Sequence, residues 1–169
     1  MSQANDAGFK FNDCIELIYR DKILEDKKIT YASFVCDQRP LKAEEWHIRL
    51  VVGGDKLSYN EDSGSPATDL TETKLLLNSV ISDSKKGARF LSMDLKDMFL
   101  KTIMDTPEYM KIPIRYFPPD IIQRYNLTAK VHNNYIFCKI KKGMYGLKQA
   151  AVLAHKVLAK ILLEEGYEK

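Results

Sequence analysis

The stretch Arg89-Phe90-Leu91-Ser92-Met93-Asp94-Leu95-Lys96-Asp97-Met98-Phe99 decides how this chain is interpreted, because an apolar run leads into two carboxylates and an aromatic ring. The run predicts a buried strand over residues 90–94, which would hold Asp94 at the rim of a sheet. Burying a lone charge is costly, so Asp94 would need a cationic partner, and a divalent metal is one candidate. The other interpretation is a strand that runs into a solvated acidic turn, and this stretch alone does not separate the two.

The remaining strands are predicted from runs rich in β-branched and aromatic residues. Residues 14–19 form a short apolar segment that is either a strand or one helical turn. Pro113 predicts an edge position for its strand, because proline cannot donate to a ladder. The other predicted strands cover residues 29–36, 46–52, 109–114 and 131–140, the last broken by His132-Asn133-Asn134 and compatible with a hairpin.

Helices are predicted where apolar residues recur at helical spacing. Asp69 and Glu72 have the spacing of a capping box ahead of a helix over residues 70–81. The buried side of that helix is predicted to carry Leu76, Leu77 and Val80. Further helical segments are predicted at residues 96–102, in a short helix that ends at Tyr125, and over residues 149–165. The last helix is predicted to have an apolar face of Leu153, Val157, Ile161 and Leu162, and Gly166 is predicted to cap its C-terminal end. A tight turn is predicted at residues 144–147.

The order of these elements indicates the fold class. Strands and helices mix without a regular βαβ rhythm, and the chain of 169 residues has no internal repeat. This arrangement predicts one α+β domain in which helices pack on one face of a mainly antiparallel sheet.

The cysteines and the hydropathy exclude several classes of protein. Cys14, Cys36 and Cys138 are far apart and form no C-x-x-C pair, which argues against a disulfide framework and a zinc site. The N-terminus lacks the apolar core of a signal peptide, and no apolar run approaches the roughly 18 residues that span a membrane. We expect an intracellular protein of the cytoplasm or nucleus, not secreted and without a membrane partner.

Local charge says more than the net charge of +3. Residues 139–163 contain six lysines, including Lys148, Lys156 and Lys160, and no acid. Such a stretch is typical of a surface that contacts phosphates, and also of the solvated face of a strand and helix. The hairpin predicted from the strands at 29–36 and 46–52 has the same two interpretations, a basic arm over an anion or an ordinary surface hairpin.

Three segments together resemble the reverse transcriptase domain of long-terminal-repeat retrotransposons, especially copia-type elements. The opening stretch resembles the first carboxylate motif of the polymerase palm. The second segment closely resembles the copia-type run K-L-x-K-x-L-Y-G-L-K-Q-A, and in this chain it is Cys138-Lys139-Ile140-Lys141-Lys142-Gly143-Met144-Tyr145-Gly146-Leu147-Lys148-Gln149-Ala150. The third segment, residues 47–54, is similar to the basic fingers strand. The similarity covers residues 27–169, which would be the fingers and first half of the palm of a right-hand polymerase fold, after an N-terminal segment over 1–26.

The resemblance implies RNA-directed DNA polymerase chemistry on an RNA or DNA template-primer with deoxynucleoside triphosphates. In that family two divalent metals, Mg²⁺ or Mn²⁺, clamp the attacking hydroxyl and the leaving phosphate. Asp94 matches the catalytic, metal-binding aspartate, and Leu95 would lend a backbone carbonyl to the metal. Hard oxygen ligands of this kind suit Mg²⁺.

The resemblance also implies the residues that bind the nucleotide. Asp97 and Phe99 match positions that line the sugar and triphosphate, where a ring at Phe99 would clash with a 2′-hydroxyl; core packing is the alternative for this ring. Arg49 and Lys42 match basic fingers residues that touch the triphosphate. Arginine suits that task because its planar fork binds phosphate in bidentate fashion.

The second motif implies contacts to the base and template. Tyr145 and Gly146 match the turn against which the nucleotide base packs, and glycine permits close approach of the backbone. Lys148 and Lys156 would flank the template strand. His155 is interpreted as an ordinary residue of the helix surface.

Two departures from the family pattern limit what is expected of this chain. Ala151 stands where copia-type elements usually have proline. The aromatic-x-Asp-Asp motif, which carries the remaining metal carboxylates, is absent from this sequence, which contains no Asp-Asp pair. We therefore expect a fragment that does not polymerise alone, with its magnesium chemistry confined to the complete polymerase.

Three hypotheses remain open at this point. The first is an enzyme fragment of RNA-directed DNA synthesis, and the second is a non-catalytic remnant that binds nucleic acid through its basic turn and helix. The third is an unrelated α+β domain whose motif match is accidental. Salt-dependent binding of nucleic acid would favour the second, because phosphate contacts release counterions.

Overall fold

Five strands form one curled sheet in the computed structural model of this chain, which describes residues 13–41, 43, 45–60, 63–64 and 69–167. The sheet order is β1-β5-β4-β2-β3, and only the β2–β4 pair is parallel. The strands are β1 (Ile15–Ile18), β2 (Ile29–Gln38), β3 (Trp46–Val52), β4 (Ile103–Pro113) and β5 (Tyr135–Lys142).

Four α-helices accompany the sheet in the described part of the chain. They are α1 (Leu70–Ser82), α2 (Met98–Lys101), α3 (Pro119–Arg124) and α4 (Ala150–Glu164). The mixed content and the mainly antiparallel sheet confirm the predicted α+β class. None of the described helices is both long enough and apolar enough to cross a membrane.

The main core lies on one face of the sheet. Ile136, Cys138 and Ile140 alternate along β5, so all three point to the same face, where they are fully buried. Helices α2, α3 and α4 pack against this face through residues such as Phe99, Ile121 and Ala150. Burial raises the pKa of the Cys138 thiol to about 12, so this cysteine remains protonated and packs as an apolar group.

Most elements confirm the predictions from sequence. The strands at 29–36 and 46–52 form, as do the helix at 70–81 and the tight turn at 144–147. The edge position predicted from Pro113 is wrong, because β4 lies between β5 and β2. Pro113 is tolerated there since it ends the strand, two residues beyond the last β2–β4 register pair at Lys111.

The buried strand predicted at residues 90–94 is wrong. This segment is irregular, and Leu91 is 74% exposed. Apolar side chains favour a strand only where a neighbouring strand can also accept its backbone hydrogen bonds. No strand of the described residues pairs with this segment, and its side chains stay largely exposed.

The burial predicted for two helices is also partly wrong. The capping box of Asp69 and Glu72 forms at the start of α1, but Leu76 is 52% exposed and no residue of α1 is buried. A capping box depends on local contacts alone, whereas burial needs a surface on which to dock. In α4 the first turns pack on the core through Ala150 and the predicted position Leu153, while the predicted positions Val157 and Ile161 are exposed.

The turn after β5 docks on the end of β3 by direct backbone contact. The Val52 amide donates to the Tyr145 carbonyl at 2.8 Å. Gly146 has φ +93°, and a Cβ there would overlap the Val52 carbonyl oxygen and come within 2.9 Å of Val51 Cγ1. A Cβ on Gly54 would in turn overlap the Gly146 carbonyl oxygen. Only glycine fits this contact, because any side chain would separate the two backbones.

The buried face of β5 should dominate stability. Replacing Ile136 with alanine should lower the free energy of unfolding by about 2–5 kcal/mol, because its fully buried side chain would leave a cavity. Ile103→Ala is the matched control, since Ile103 is 72% exposed and should change the free energy by less than about 0.5 kcal/mol. Urea denaturation measures both, and similar losses for the two variants would contradict this position of the core.

The docking of the turn is tested by alanine at Gly146, compared with Gly87. Both glycines have positive φ, at +93° and +90°, but a Cβ at Gly87 would meet nothing within 4 Å. Gly87→Ala should cost about 1 kcal/mol for its backbone conformation alone. Gly146→Ala should cost clearly more, because the turn must also move away from Val52. Equal losses in thermal or urea unfolding would show that the two backbones do not touch.

Candidate functional site

Three side chains from separate segments meet at the turn after β5. The Phe99 and Tyr145 rings pack edge to face, with centroids 5.5 Å apart and an interplanar angle of 83°. The Arg49 guanidinium lies over the Tyr145 ring, with Cζ 5.8 Å from the centroid. Gly146 follows Tyr145 in the same turn. The structure therefore brings together four residues that the sequence analysis assigned to the nucleotide.

The position of Phe99 is fixed by the backbone around it. The Phe99 carbonyl oxygen would be only 2.7 Å from a Cβ on Gly143, so α2 lies directly against the end of β5. Thr102 joins the two segments, because its amide donates to the Phe99 carbonyl at 3.0 Å and its carbonyl accepts from the Gly143 amide at 2.8 Å. The Phe99 ring is partly buried against the main core, so the alternative interpretation of this ring as a core residue is confirmed in part.

Arg49 is only partly neutralised in this site. Its Nη2 donates to Asp37 Oδ2 across the β2–β3 hairpin, in a short ion pair. Its Nε is buried, and no described residue accepts a hydrogen bond from it. A buried donor without an acceptor is costly, so Arg49 would gain from a rearrangement that gives this nitrogen an acceptor, while the exposed part of its guanidinium can meet an anion.

Sequence reasoning missed Asp37, because the predicted strand ends at residue 36. The strand in fact continues to Gln38, and the register places Val35 opposite Arg49. Asp37 lies two residues beyond Val35 on the same face, within reach of the guanidinium. The proximity of Asp37 to Arg49 follows from the alternation of side chains along β2 and from the β2–β3 register. The sequence would have indicated it only if the pairing of these two strands were already known.

Sequence reasoning also missed Glu108, which lies in β4 beside the start of α4. Gln149 Nε2 lies 3.4 Å from Glu108 Oε1. Burial is the main effect that raises the pKa of the Glu108 carboxyl, against smaller opposing effects of Lys27 and Gln149. A single glutamate within a strand gives no sequence signal for this placement.

The predicted metal ligands are not assembled. Asp94 and Leu95 lie in the irregular, exposed segment before α2. Asp97 is half-buried and adopts φ +56° at the start of α2, a conformation that aspartate tolerates. Within the ranges that the structure describes, no three His, Cys, Asp or Glu side chains are grouped closely enough to hold a metal. The described residues therefore do not fit a two-metal centre, and no chemical step is assigned to one.

The predicted template residues lie just before α4 and within it. Lys148 is exposed between the turn and α4, and Lys156 is exposed within α4. Helix geometry carries Lys156 away from Tyr145, at about 1.5 Å for each residue. Lys42, which was predicted to touch the triphosphate, lies outside the described residues.

Comparisons with protein-family profiles, with curated proteins and with solved structures found nothing that matches this chain.

Proposed function

We propose that the cluster of Arg49, Phe99 and Tyr145 is the nucleotide-binding site of a reverse-transcriptase-type polymerase domain, and that this chain binds a deoxynucleoside triphosphate. The observation that carries the proposal is the meeting of these three side chains, from β3, α2 and the turn after β5, at one point. Each was assigned to the nucleotide by the resemblance to reverse transcriptases. An accidental motif match gives no reason for them to meet.

The chemistry of the cluster supports binding of a triphosphate. The Arg49 fork supplies charge and directed donors, and its buried Nε still lacks an acceptor among the described residues. Phosphate oxygens suit this geometry better than a single carboxylate does, because they can accept from two donors of the fork at once. Tyr145 and the bare backbone at Gly146 provide a flat surface on which a base can pack.

Phe99 gives the site a basis for selecting the sugar. Its ring is held edge-on against Tyr145, and its backbone is held by Thr102. A ring fixed in this way cannot withdraw easily from a substrate, so a 2′-hydroxyl that meets it would be excluded. The proposed substrate is therefore a deoxynucleotide.

Asp37 sets the conditions under which Arg49 binds phosphate. The carboxylate holds the guanidinium in place but also neutralises part of its charge. Because both side chains are more than one-third exposed, this pair contributes little stability and can rearrange at little cost. A triphosphate, with its larger charge, would then compete successfully for the fork.

Nucleotide addition is not proposed for the described residues alone. Asp94 is exposed, and no described carboxylates gather around it to hold two metals. In a complete polymerase Mg²⁺ or Mn²⁺ would be expected to supply that chemistry with further carboxylates. The proposal for this chain is binding without extension.

A second candidate function is non-catalytic binding of nucleic acid. It is favoured by the exposure of Lys148 and Lys156 on a segment without acids. Salt-sensitive binding of a template-primer with no binding of dTTP would favour this function over the first. The two functions are therefore separable by ligand.

Affinity for dTTP should depend on the shape of the Arg49 side chain. In calorimetric titration Arg49→Gln should weaken dTTP binding by about tenfold or more, because charge-assisted hydrogen bonds are lost. Arg49→Lys should recover only part of the loss, since lysine lacks the fork. Arg89→Gln, at an exposed arginine outside the cluster, is the control and should bind as wild type. Unchanged affinity in Arg49→Gln would exclude this site.

Primer extension tests the absence of catalysis. With Mn²⁺, a primer-template and all four deoxynucleotides, the chain should give no extended product, because one exposed aspartate cannot hold two metals. Clear extension that Asp94→Ala abolishes would overturn this expectation. Extension that persists in Asp94→Ala would instead indicate a contaminating polymerase.

A further inference from the structure

Three ionisable side chains lie on one face of the β2–β3 hairpin, beside the candidate nucleotide site. The register pairs Asp37 with His47 and Val35 with Arg49, so Asp37, His47 and Arg49 point to the same face. Asp37 is the direct cross-strand neighbour of His47 and only the diagonal neighbour of Arg49. Directly opposite residues have Cβ atoms about 4.5–5.5 Å apart, whereas diagonal neighbours are about 7–8 Å apart. The hairpin therefore holds His47 closer to Asp37 than it holds Arg49.

The carboxylate of Asp37 nevertheless pairs with Arg49. Arg49 Nη2 donates to Asp37 Oδ2, and no ion pair joins the described residues Asp37 and His47. A guanidinium is always charged, whereas an uncharged imidazole has no net charge with which to attract a carboxylate. His47 is half-buried, so its ring still meets solvent and can exchange protons with it. The present partner of Asp37 is thus the one expected while His47 is uncharged.

The arrangement of Arg49 beside Asp37 is only weakly favoured. The buried Nε of Arg49 has no acceptor among the described residues while Nη2 is bound to Asp37. A buried donor without an acceptor costs free energy, which offsets part of the gain from the ion pair. Both side chains are also more than one-third exposed, and solvent screening keeps such a pair weak. Asp37 can therefore exchange Arg49 for another cation at little cost.

The surroundings of His47 offer one free carboxylate. The charged or titratable groups on this face, among the described residues of the hairpin and of the turn after β5, are Asp37, Arg39, Glu45, Arg49 and Tyr145. Glu45 is already engaged, because its Oε1 accepts from Gln38 Nε2 at 2.7 Å. Asp37 is therefore the carboxylate that a charged His47 would attract, and Arg49 is the cation that would lose it.

We propose that His47 regulates the candidate nucleotide site with pH, by drawing Asp37 away from Arg49 when its imidazole is charged. This inference rests on the proposed nucleotide function and concerns the regulation of that site. Histidine changes its charge between about pH 5 and 8. A charged His47 attracts Asp37, and the released guanidinium of Arg49 becomes available to a phosphate. As the pH rises, His47 loses its charge and Asp37 returns to Arg49, so binding of a triphosphate weakens.

Direct attraction between a charged His47 and the phosphate is the competing explanation of such a pH dependence. The two mechanisms differ in their need for Asp37. Direct attraction persists when this carboxylate is removed, whereas the exchange of partners does not. Phosphate groups also change charge near about pH 6, so the test compares variants with wild type at the same pH.

Calorimetric titration of the full chain with dTTP at about pH 5.5 and pH 8 tests the exchange. At the lower pH wild type should bind about fivefold more tightly than His47→Gln, the factor that corresponds to one partly exposed ion pair. At the higher pH the two proteins should bind equally. In an Asp37→Asn background, His47→Gln should change the affinity by less than about twofold at either pH.

Two further variants complete this set. Asp37→Asn alone should bind dTTP about fivefold more tightly than wild type at the higher pH, because no carboxylate then competes for Arg49. His155→Gln removes a half-buried histidine of α4 and is the matched control, which should bind as wild type at both pH values. Weaker binding by Asp37→Asn, or an equal effect of His47→Gln with and without Asp37, would overturn the proposal.

A measurement without nucleotide separates the exchange from the nucleotide function. In ¹⁵N NMR of the free chain, lowering the pH should shift the Arg49 Nε–H signal in wild type but not in His47→Gln. Equal responses of this signal in the two proteins would overturn the exchange. If wild type shows the shift but does not bind dTTP, the proposed nucleotide function is contradicted and the exchange between His47 and Arg49 is supported.

Discussion

The backbone contact between Gly146 and Val52 is the constraint on which the candidate site depends. It joins the turn after β5 to the end of β3, although β5 and β3 are not neighbours in the sheet order. The hydrogen bond from the Val52 amide to the Tyr145 carbonyl fixes the turn in this position. As a result the Tyr145 ring contacts both Arg49 and Phe99. Curling of the sheet thereby converts three distant segments into one cluster.

The sequence predicted those features of the fold that depend on local interactions. The capping box of Asp69 and Glu72 starts α1 through contacts between residues close in the chain. Strands β2 and β3 follow each other along the chain and pair as an antiparallel hairpin. Burial was predicted less well, since it depends on a distant surface. Leu76 and Leu91 are apolar but exposed, because among the described residues no strand or helix covers them. Periodicity identifies an apolar face without identifying what covers it.

In the candidate site, too, local sequence motifs were predicted from the sequence, whereas contacts between distant segments were not. The motif around Tyr145 and Gly146 and the basic strand around Arg49 were found from sequence, and the structure brings these residues together. Their partners were not found, because Asp37 reaches Arg49 only through the register of a hairpin. Asp94, the residue that first suggested metal chemistry, lies exposed and outside this cluster of contacts. The nucleotide-binding proposal therefore has stronger geometric support than the catalytic expectation.

The most direct test of the central claim follows the Arg49 Nε–H resonance by ¹⁵N NMR while dTTP is added. This nitrogen is buried and has no acceptor among the described residues, so a bound phosphate should shift its signal strongly. The Tyr145 and Phe99 ring signals should shift at the same dTTP concentrations, because these rings adjoin the guanidinium. Saturating dTTP that leaves all three signals unchanged, or shifts only residues outside this cluster, would contradict the account.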